Sequence, residues 1–196
     1  MSFYADTSFQ PKRRFRFLVS FTNLGSETSY MVTKAAKPSY ELTNVTEHRV
    51  LNHIFKFPGI VKWTDIDITL IDALEPNVGG KFYNVLKNMG YIEPRDTDSL
   101  AGGISKVQAN AALGSVVIKQ LDAGGQVIPG LGGESPDNGV LSGAKYYEEW
   151  TLKNAFLKSI KWGDLDYGSE DLLNVDLGIT YDYASYTSYA GGRKLG

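Results

Sequence analysis

Near the C-terminus, the run LLNVDLGITYDY places Leu173, Val175, Leu177, Ile179, Tyr181 and Tyr183 on one face and Asn174, Asp176, Thr180 and Asp182 on the other. Strict period 2 over this length is a strand pattern, because helical spacing would scatter the same residues around a cylinder. A strand with one apolar face needs a second layer to cover it, so the chain must build a sheet-based core. Just upstream, EEWTLKNAFLKSIKW sets Trp150, Leu152, Phe156, Ile160 and Trp162 against Thr151, Lys153, Ser159 and Lys161. GDLDYGSED supplies a turn between the two runs, which read as a pair of long closing strands. Residues 184–196, ASYTSYAGGRKLG, follow as a polar tail.

The rest of the chain supplies further strands. Residues 1–14 read as an N-terminal arm, and RFRFLVSF alternates as a half-buried strand. Asn23–Leu24–Gly25–Ser26 offers turn chemistry, and 29–35 returns as a second strand to complete a hairpin. Pro38 and Pro58 bracket an extended excursion, 39–58, that leaves the main sheet as a long hairpin. GIVKWTDIDITLIDAL reads as one strand, with Lys62, Thr64, Ile66, Ile68 and Leu70 opposite Val61, Trp63, Asp65, Asp67, Thr69 and Ile71. Phe82, Val85, Leu86 and Met89 fall at helical spacing ahead of Gly90, so 80–88 is the one helix expected. Residues 92–105 have loop composition, 113–121 reads as a strand, and 122–144 is a glycine-rich loop. The fold class expected is mainly β, an antiparallel β-sandwich or barrel with one short α-helix and long loops, in a single domain over 1–196.

Composition narrows the function. The chain has 20 basic and 22 acidic residues, a net charge of -2, which removes the electrostatic case for tight duplex binding. With no cysteine, disulfides, thiolate metal sites and a cysteine nucleophile are excluded. No apolar run is long enough for a membrane helix, and the N-terminus lacks the apolar stretch of a signal peptide, so a soluble, intracellularly made protein is expected.

Motifs for chemistry are sparse. His48 and His53 lie five residues apart, on opposite faces of a strand if the strand runs through both, and surface histidines are the commoner use of such a pair. Asp65 and Asp67 share a strand face, which suits a divalent ion or glycosyl chemistry but equally a solvated surface. Asp164–Leu165–Asp166–Tyr167–Gly168 fails the calcium-loop pattern, since Val175 stands where the bidentate Glu is needed. Gly79–Gly80–Lys81 opens a helix and could hold an anion, yet a turn into a helix uses the same glycines. The basic run from Lys12 to Arg16 suits a subunit contact or a sheet edge better than nucleic acid. No catalytic, cofactor-binding or metal-binding set emerges, so a non-enzymatic protein without cofactor is expected.

The order of these features resembles the tail tube proteins of contractile-tailed bacteriophages, which are related to the type VI secretion tube protein. EEWTLKNAFLKSIKWGDLDYGSEDLLNVDLGITYDY is similar to that family's closing hairpin, and FPGIVKWTDIDITLID is the second match. The resemblance covers about a quarter of the chain closely; the glycine-rich stretch and the tyrosine-bearing tail depart from it. It implies a structural subunit forming stacked hexameric rings inside a contractile sheath, with a lumen that conducts DNA without specific binding. Implied partners are further copies of the chain and the sheath, tape measure, baseplate and tail terminator proteins. The implied location is the virion tail, after synthesis in the host cytoplasm. Candidate lumen-facing residues are Asp65, Asp67, Asn174, Asp176, Thr180 and Asp182, giving an acidic wall that repels phosphates. Candidate inter-subunit contacts are Phe3, Tyr4, Lys12, Arg13, Arg14, Glu47, His48, Arg49 and His53. Two readings compete: the tube of another contractile injection device, and a carbohydrate-binding sandwich using Trp63, Trp150 or Trp162 as stacking platforms.

Overall fold

A computed structural model describes residues 12–94, 103–121, 146–190 and 193–195. Residues 1–11 of the expected arm, with the contact candidates Phe3 and Tyr4, and the glycine-rich loop at 122–144 lie outside these residues. The strands are β1 (Phe17–Phe21), β2 (Val32–Ala35), β3 (Tyr40–Thr43), β4 (Thr46–Val50), β5 (His53–Phe57), β6 (Ile60–Trp63) and β7 (Ile66–Ile71). They continue as β8 (Val116–Leu121), β9 (Tyr146–Lys153), β10 (Phe156–Trp162), β11 (Asn174–Thr180), β12 (Tyr183–Ala190) and β13 (Arg193–Leu195). Three helices accompany them: α1 (Glu27–Tyr30), α2 (Val78–Asn88) and α3 (Lys106–Leu113).

Two antiparallel sheets enclose the core. One has five strands in the order β1-β8-β9-β12-β13, the other four in the order β10-β11-β7-β2. Val19, Phe21, Val116, Ile118 and Leu152 face inward from the first, and Ile66, Ile68, Leu70, Val175, Leu177 and Ile179 from the second. Helix α2 adds Val78, Phe82, Val85 and Met89, and its Phe82 ring meets Phe21 edge-on at 6.0 Å. The mainly β, antiparallel class is as the alternation required; the count of one helix is not.

The closing strands are each two strands. β9 pairs with β12 in the five-stranded sheet, and β10 with β11 in the four-stranded sheet. One long hairpin therefore bends over the corner of the sandwich and serves both layers. At the bend Asn154 takes a left-handed φ of 55°, and the Asp182 amide donates to the Lys153 carbonyl at 3.0 Å. Residues 184–190, expected as part of a polar tail, belong to strand β12. A polar strand is stable there because its backbone pairs with β9, and Tyr186 packs its ring on Trp150 at 4.8 Å.

Three other expectations change. β1 and β2 do not form a hairpin: β1 pairs with β8, and β2 pairs with β7 in the opposite sheet. Residues 27–30 form helix α1 between them, with Thr28 Oγ1 donating to the Leu24 carbonyl at 2.9 Å. The run 60–71 is two strands, broken at Thr64–Asp65, so β6 joins the excursion rather than the core sheet. Helix α3 fills 106–113, beyond the loop expected at 92–105, and takes Leu113 from the strand expected at 113–121. Its hydrophobic stripe is short, but Ser105 accepts from the Gln108 amide at 3.2 Å and Gly114 ends it at φ 76°.

Candidate functional site

The excursion is a two-stranded ribbon in two ladders, β3 with β6 and β4 with β5. Between them Asn44 takes φ 58° opposite Pro58–Gly59, and a Cβ on Gly59 would lie 1.8 Å from the Thr43 carbonyl oxygen. Only glycine permits that approach. Every residue of β4 and β5 is exposed, Ile54, Phe55 and Phe57 included. A lone two-stranded ribbon with open apolar side chains is marginal in water.

Cross-strand register assigns its faces. Thr46, His48 and Val50 lie opposite Phe57, Phe55 and His53; Glu47 and Arg49 lie opposite Lys56 and Ile54. His48 and His53 therefore share a face rather than oppose each other, because the Leu51–Asn52 turn folds the chain back between them. Glu47 pairs with Lys56 at 3.1 Å, and Arg49 Nε donates to the Leu51 carbonyl at 3.2 Å. Among the remaining contact candidates, Arg13 and Arg14 are exposed ahead of β1, and Lys12 reaches back to Glu148.

The outward face of the four-stranded sheet gathers most of the lumen candidates. Asp176 stands opposite Thr69, Asp67 opposite Gly178 and Asn174 opposite Ile71. Asp65, just ahead of β7, accepts from Lys158 Nζ at 2.5 Å and from Thr180 Oγ1 at 2.9 Å. The Lys158 hydrogen bond holds the Asp65 carboxyl below its ordinary pKa against the opposing cost of burial, and Asp65 in turn raises the Lys158 ammonium. Thr69 Oγ1 donates to Asp176 at 2.7 Å.

Asp182 is not on this face. It sits at the sandwich corner, where Lys106 Nζ donates to both its oxygens at 2.8 and 2.7 Å and Asn154 Nδ2 donates at 2.7 Å. Those bonds, that from Lys106 first, lower its pKa. The face is also not acidic. Lys34 lies opposite Thr69, Lys161 opposite Asp176, and Lys158 binds Asp65, so three lysines interleave with Asp65, Asp67 and Asp176. Opposite charges on neighbouring strands pair more stably than an all-carboxylate face would. The signal for this lay in the Lys-x-x-Lys spacing of FLKSIKW, which a bulge between Leu157 and Ser159 redirects.

Other candidate chemistry is spoken for. The Gly79 and Gly80 amides donate to Asp72 Oδ1 at 3.0 Å and to Asn77 Oδ1 at 2.6 Å, so the chain fills its own anion position. Among the described residues no cluster of three or more His, Asp or Glu could hold a metal. An open cleft of about 700 Å³ lies between α2 and α3, lined by Asn23, Asn84, Asn88, Gln108 and Lys81. Its cation is committed, since Lys81 donates to the Leu24 carbonyl and to Glu27 at 2.9 Å. Trp63 packs between Tyr40 and Tyr181, and Trp150 against Tyr186, which leaves only Trp162 of the three tryptophans exposed. Among the described residues no helix is long and apolar enough to cross a membrane.

No family model matches the sequence, and no curated protein matches it. Solved structures do. A chain of the anti-feeding prophage cap, the tube-terminating cap, superposes with a TM-score of 0.61 at 17% identity, over 96% of this chain and 100% of that one. A chain of the sheath-tube complex of an extracellular contractile injection system gives 0.59 at 16% identity, over 96% and 99%. A chain of the anti-feeding prophage baseplate gives 0.56 at 17%, over 91% and 96%. Likeness that spans both chains end to end at such low identity is likeness of fold. The chain shares the β fold of these chains from contractile injection assemblies.

Proposed function

We propose that this chain is the repeating structural subunit of the tube in a contractile bacteriophage tail. The observation that carries the reading is the end-to-end likeness to a chain of a sheath-tube complex. The molecule's open surfaces support it. Among the described residues each sheet ends in strands with a neighbour on one side only, β10 and β2 in one and β1 and β13 in the other. Closing a ring of copies pairs such edges and removes an aggregation hazard. The ribbon from Tyr40 to Trp63, with Glu47, His48, Arg49 and His53, then covers its apolar side chains on a neighbouring copy.

In this reading hexameric rings stack into a hollow tube. Asp65, Asp67, Asn174, Asp176 and Thr180 face the lumen from the four-stranded sheet, while Asp182 serves the corner. DNA passes along the wall without specific binding, because paired charges leave no surplus of cations to hold phosphates. The sheath surrounds the tube, the tape measure protein occupies it during assembly, and terminator and baseplate proteins close its ends. The role is mechanical, not catalytic. A second reading, the tube of an extracellular injection device, is favoured by the same superpositions, which come from such assemblies.

Electron microscopy of the concentrated, purified protein tests the proposal. Hollow rods or six-fold rings are expected; a monomer at every concentration would overturn it. The wall assignment is tested by Asp67→Lys with Asp176→Lys, which should leave assembly intact and impair passage of DNA through the tail.

A further inference from the structure

The five-stranded sheet carries a charge on its inward side. Glu148, on β9, is 5% exposed, and its register places it beside Gln120 of β8, itself 6% exposed. The two Glu148 oxygens accept from different elements: Oε2 from Lys12 and Oε1 from Lys37. Lys12 belongs to the segment entering β1. Lys37 belongs to the link that leaves β2 in the opposite sheet and enters the ribbon at β3. Gln120 Nε2 completes the node by donating to the Arg13 and Arg16 carbonyls at 2.8 and 2.6 Å.

Stability alone explains this arrangement poorly. Removing a carboxylate from water costs several kcal/mol, and apolar residues of similar size commonly serve a core as well or better. What a buried carboxylate holding two half-exposed lysines adds is direction: each ammonium is held at one oxygen, which restrains the chain carrying it. The neighbouring bonds repeat the pattern. The Ala36 amide donates to the Asp67 carbonyl at 3.0 Å, and the Thr64 amide to the Ser39 carbonyl at 2.9 Å, pinning both strands at the ribbon's root. Pro38, between Lys37 and Ser39, is buried.

We infer that Glu148 is a positioning residue for assembly, a single buried carboxylate that fixes the directions in which the segment 12–16 and the ribbon leave the sandwich. The assembly part of this inference rests on the tube reading; the positioning part does not. A ribbon rooted to the opposite sheet through Lys37 meets its neighbour already aimed, so less ordering entropy is lost on contact.

Amide hydrogen exchange on the unassembled full chain tests the positioning, with Ala36 and Thr64 reporting on the ribbon root and Arg16 on the entering segment. Glu148→Gln should speed exchange at all three about tenfold or more, the effect of losing charge-assisted bonds. Leu177 and Ile68 in the core should keep their protection. If Glu148→Gln fails to fold, the single lysine variants separate the two arms. Lys37→Met should loosen Ala36 and Thr64 and spare Arg16, whereas Lys12→Met should do the reverse. Unchanged exchange at the reporters, or identical patterns in the two lysine variants, would overturn the inference. The triple variant Lys12→Met, Lys37→Met, Glu148→Leu separates aim from stability: thermal stability should match wild type while the reporters stay loose and ring formation falls. A triple variant as protected as wild type would reduce the node to ordinary packing. Wild type that never forms rings would remove the tube reading and leave the exchange result standing.

Discussion

The ribbon from β3 to β6 and the hairpin of β10 and β11 are both antiparallel strand pairs rich in Ile, Val, Leu and Phe, yet their side chains have opposite fates. In β11 the inward residues Val175, Leu177 and Ile179 are fully buried, while Ile54, Phe55 and Phe57 of β5 all stand in solvent. Local pattern is not the cause. β11 pairs with both β10 and β7, and the five-stranded sheet covers their inner face, whereas among the described residues β3 pairs with β6 alone and β4 with β5 alone. Apolar strands are stabilised by whatever second layer covers them. One pair finds its layer among the described residues of its own chain; in the tube reading proposed above, the other finds it on a neighbouring copy.

Breaking the buried side gives the largest effect. Leu177→Ala should destabilise the monomer by about 2–5 kcal/mol, the usual range for emptying a core leucine site, measured by denaturant or thermal unfolding.

A smaller loss is expected at the corner that joins the two sheets. Asp182→Asn removes the carboxylate held by Lys106 and Asn154 and should lower the melting temperature modestly, since the site is solvent-screened. The sign with pH follows from its depressed pKa. The unfolded chain binds a proton at higher pH than the native one, so the carboxylate's contribution is complete above the ordinary aspartate value of about 4 and is lost as pH falls through the native pKa. The gap between wild type and Asp182→Asn should therefore close in acid; a gap independent of pH would discount the Lys106 pair.

The smallest effect on the monomer sharpens the contrast most. Phe55→Ser with Phe57→Ser should shift unfolding by no more than about 0.5 kcal/mol, as exposed positions do. The same double variant should abolish assembly in sedimentation velocity. A large fall in monomer stability instead would mean that the ribbon already packs within its own chain.

Much of the four-stranded sheet could be read from alternation: Ile66, Ile68, Leu70, Val175, Leu177 and Ile179 fall inward where the sequence places them. The corner could not. Along β9 the inward residues are at even positions, including Leu152, but after Asn154 they are Ala155 and Leu157. The bulge after Leu157 then restores even parity, so Ile160 lies opposite Leu177. Two one-residue shifts cancel, and the sequence looks like one unbroken strand with Phe156 inward. Leu157 is the residue that is buried, facing Ile179. At the candidate site, alternation grouped Asp65, Asp67, Asp176 and Thr180 on a polar face, but it grouped Asp182 with them and left out the lysines. Both errors have one cause, since a bend or bulge changes which residues share a face without changing composition.

By itself the sequence determined a mainly β chain with a single-faced apolar hairpin near its end and an extended proline-bracketed excursion. Those follow from side-chain period and residue chemistry, which are local. Only the tertiary structure decided that the closing hairpin bends to serve two sheets, that β1 and β2 part company, and that one buried glutamate ties the ribbon's root to the opposite layer. Each of these depends on which strands become neighbours, and pairing between distant segments leaves no periodic mark in either of them.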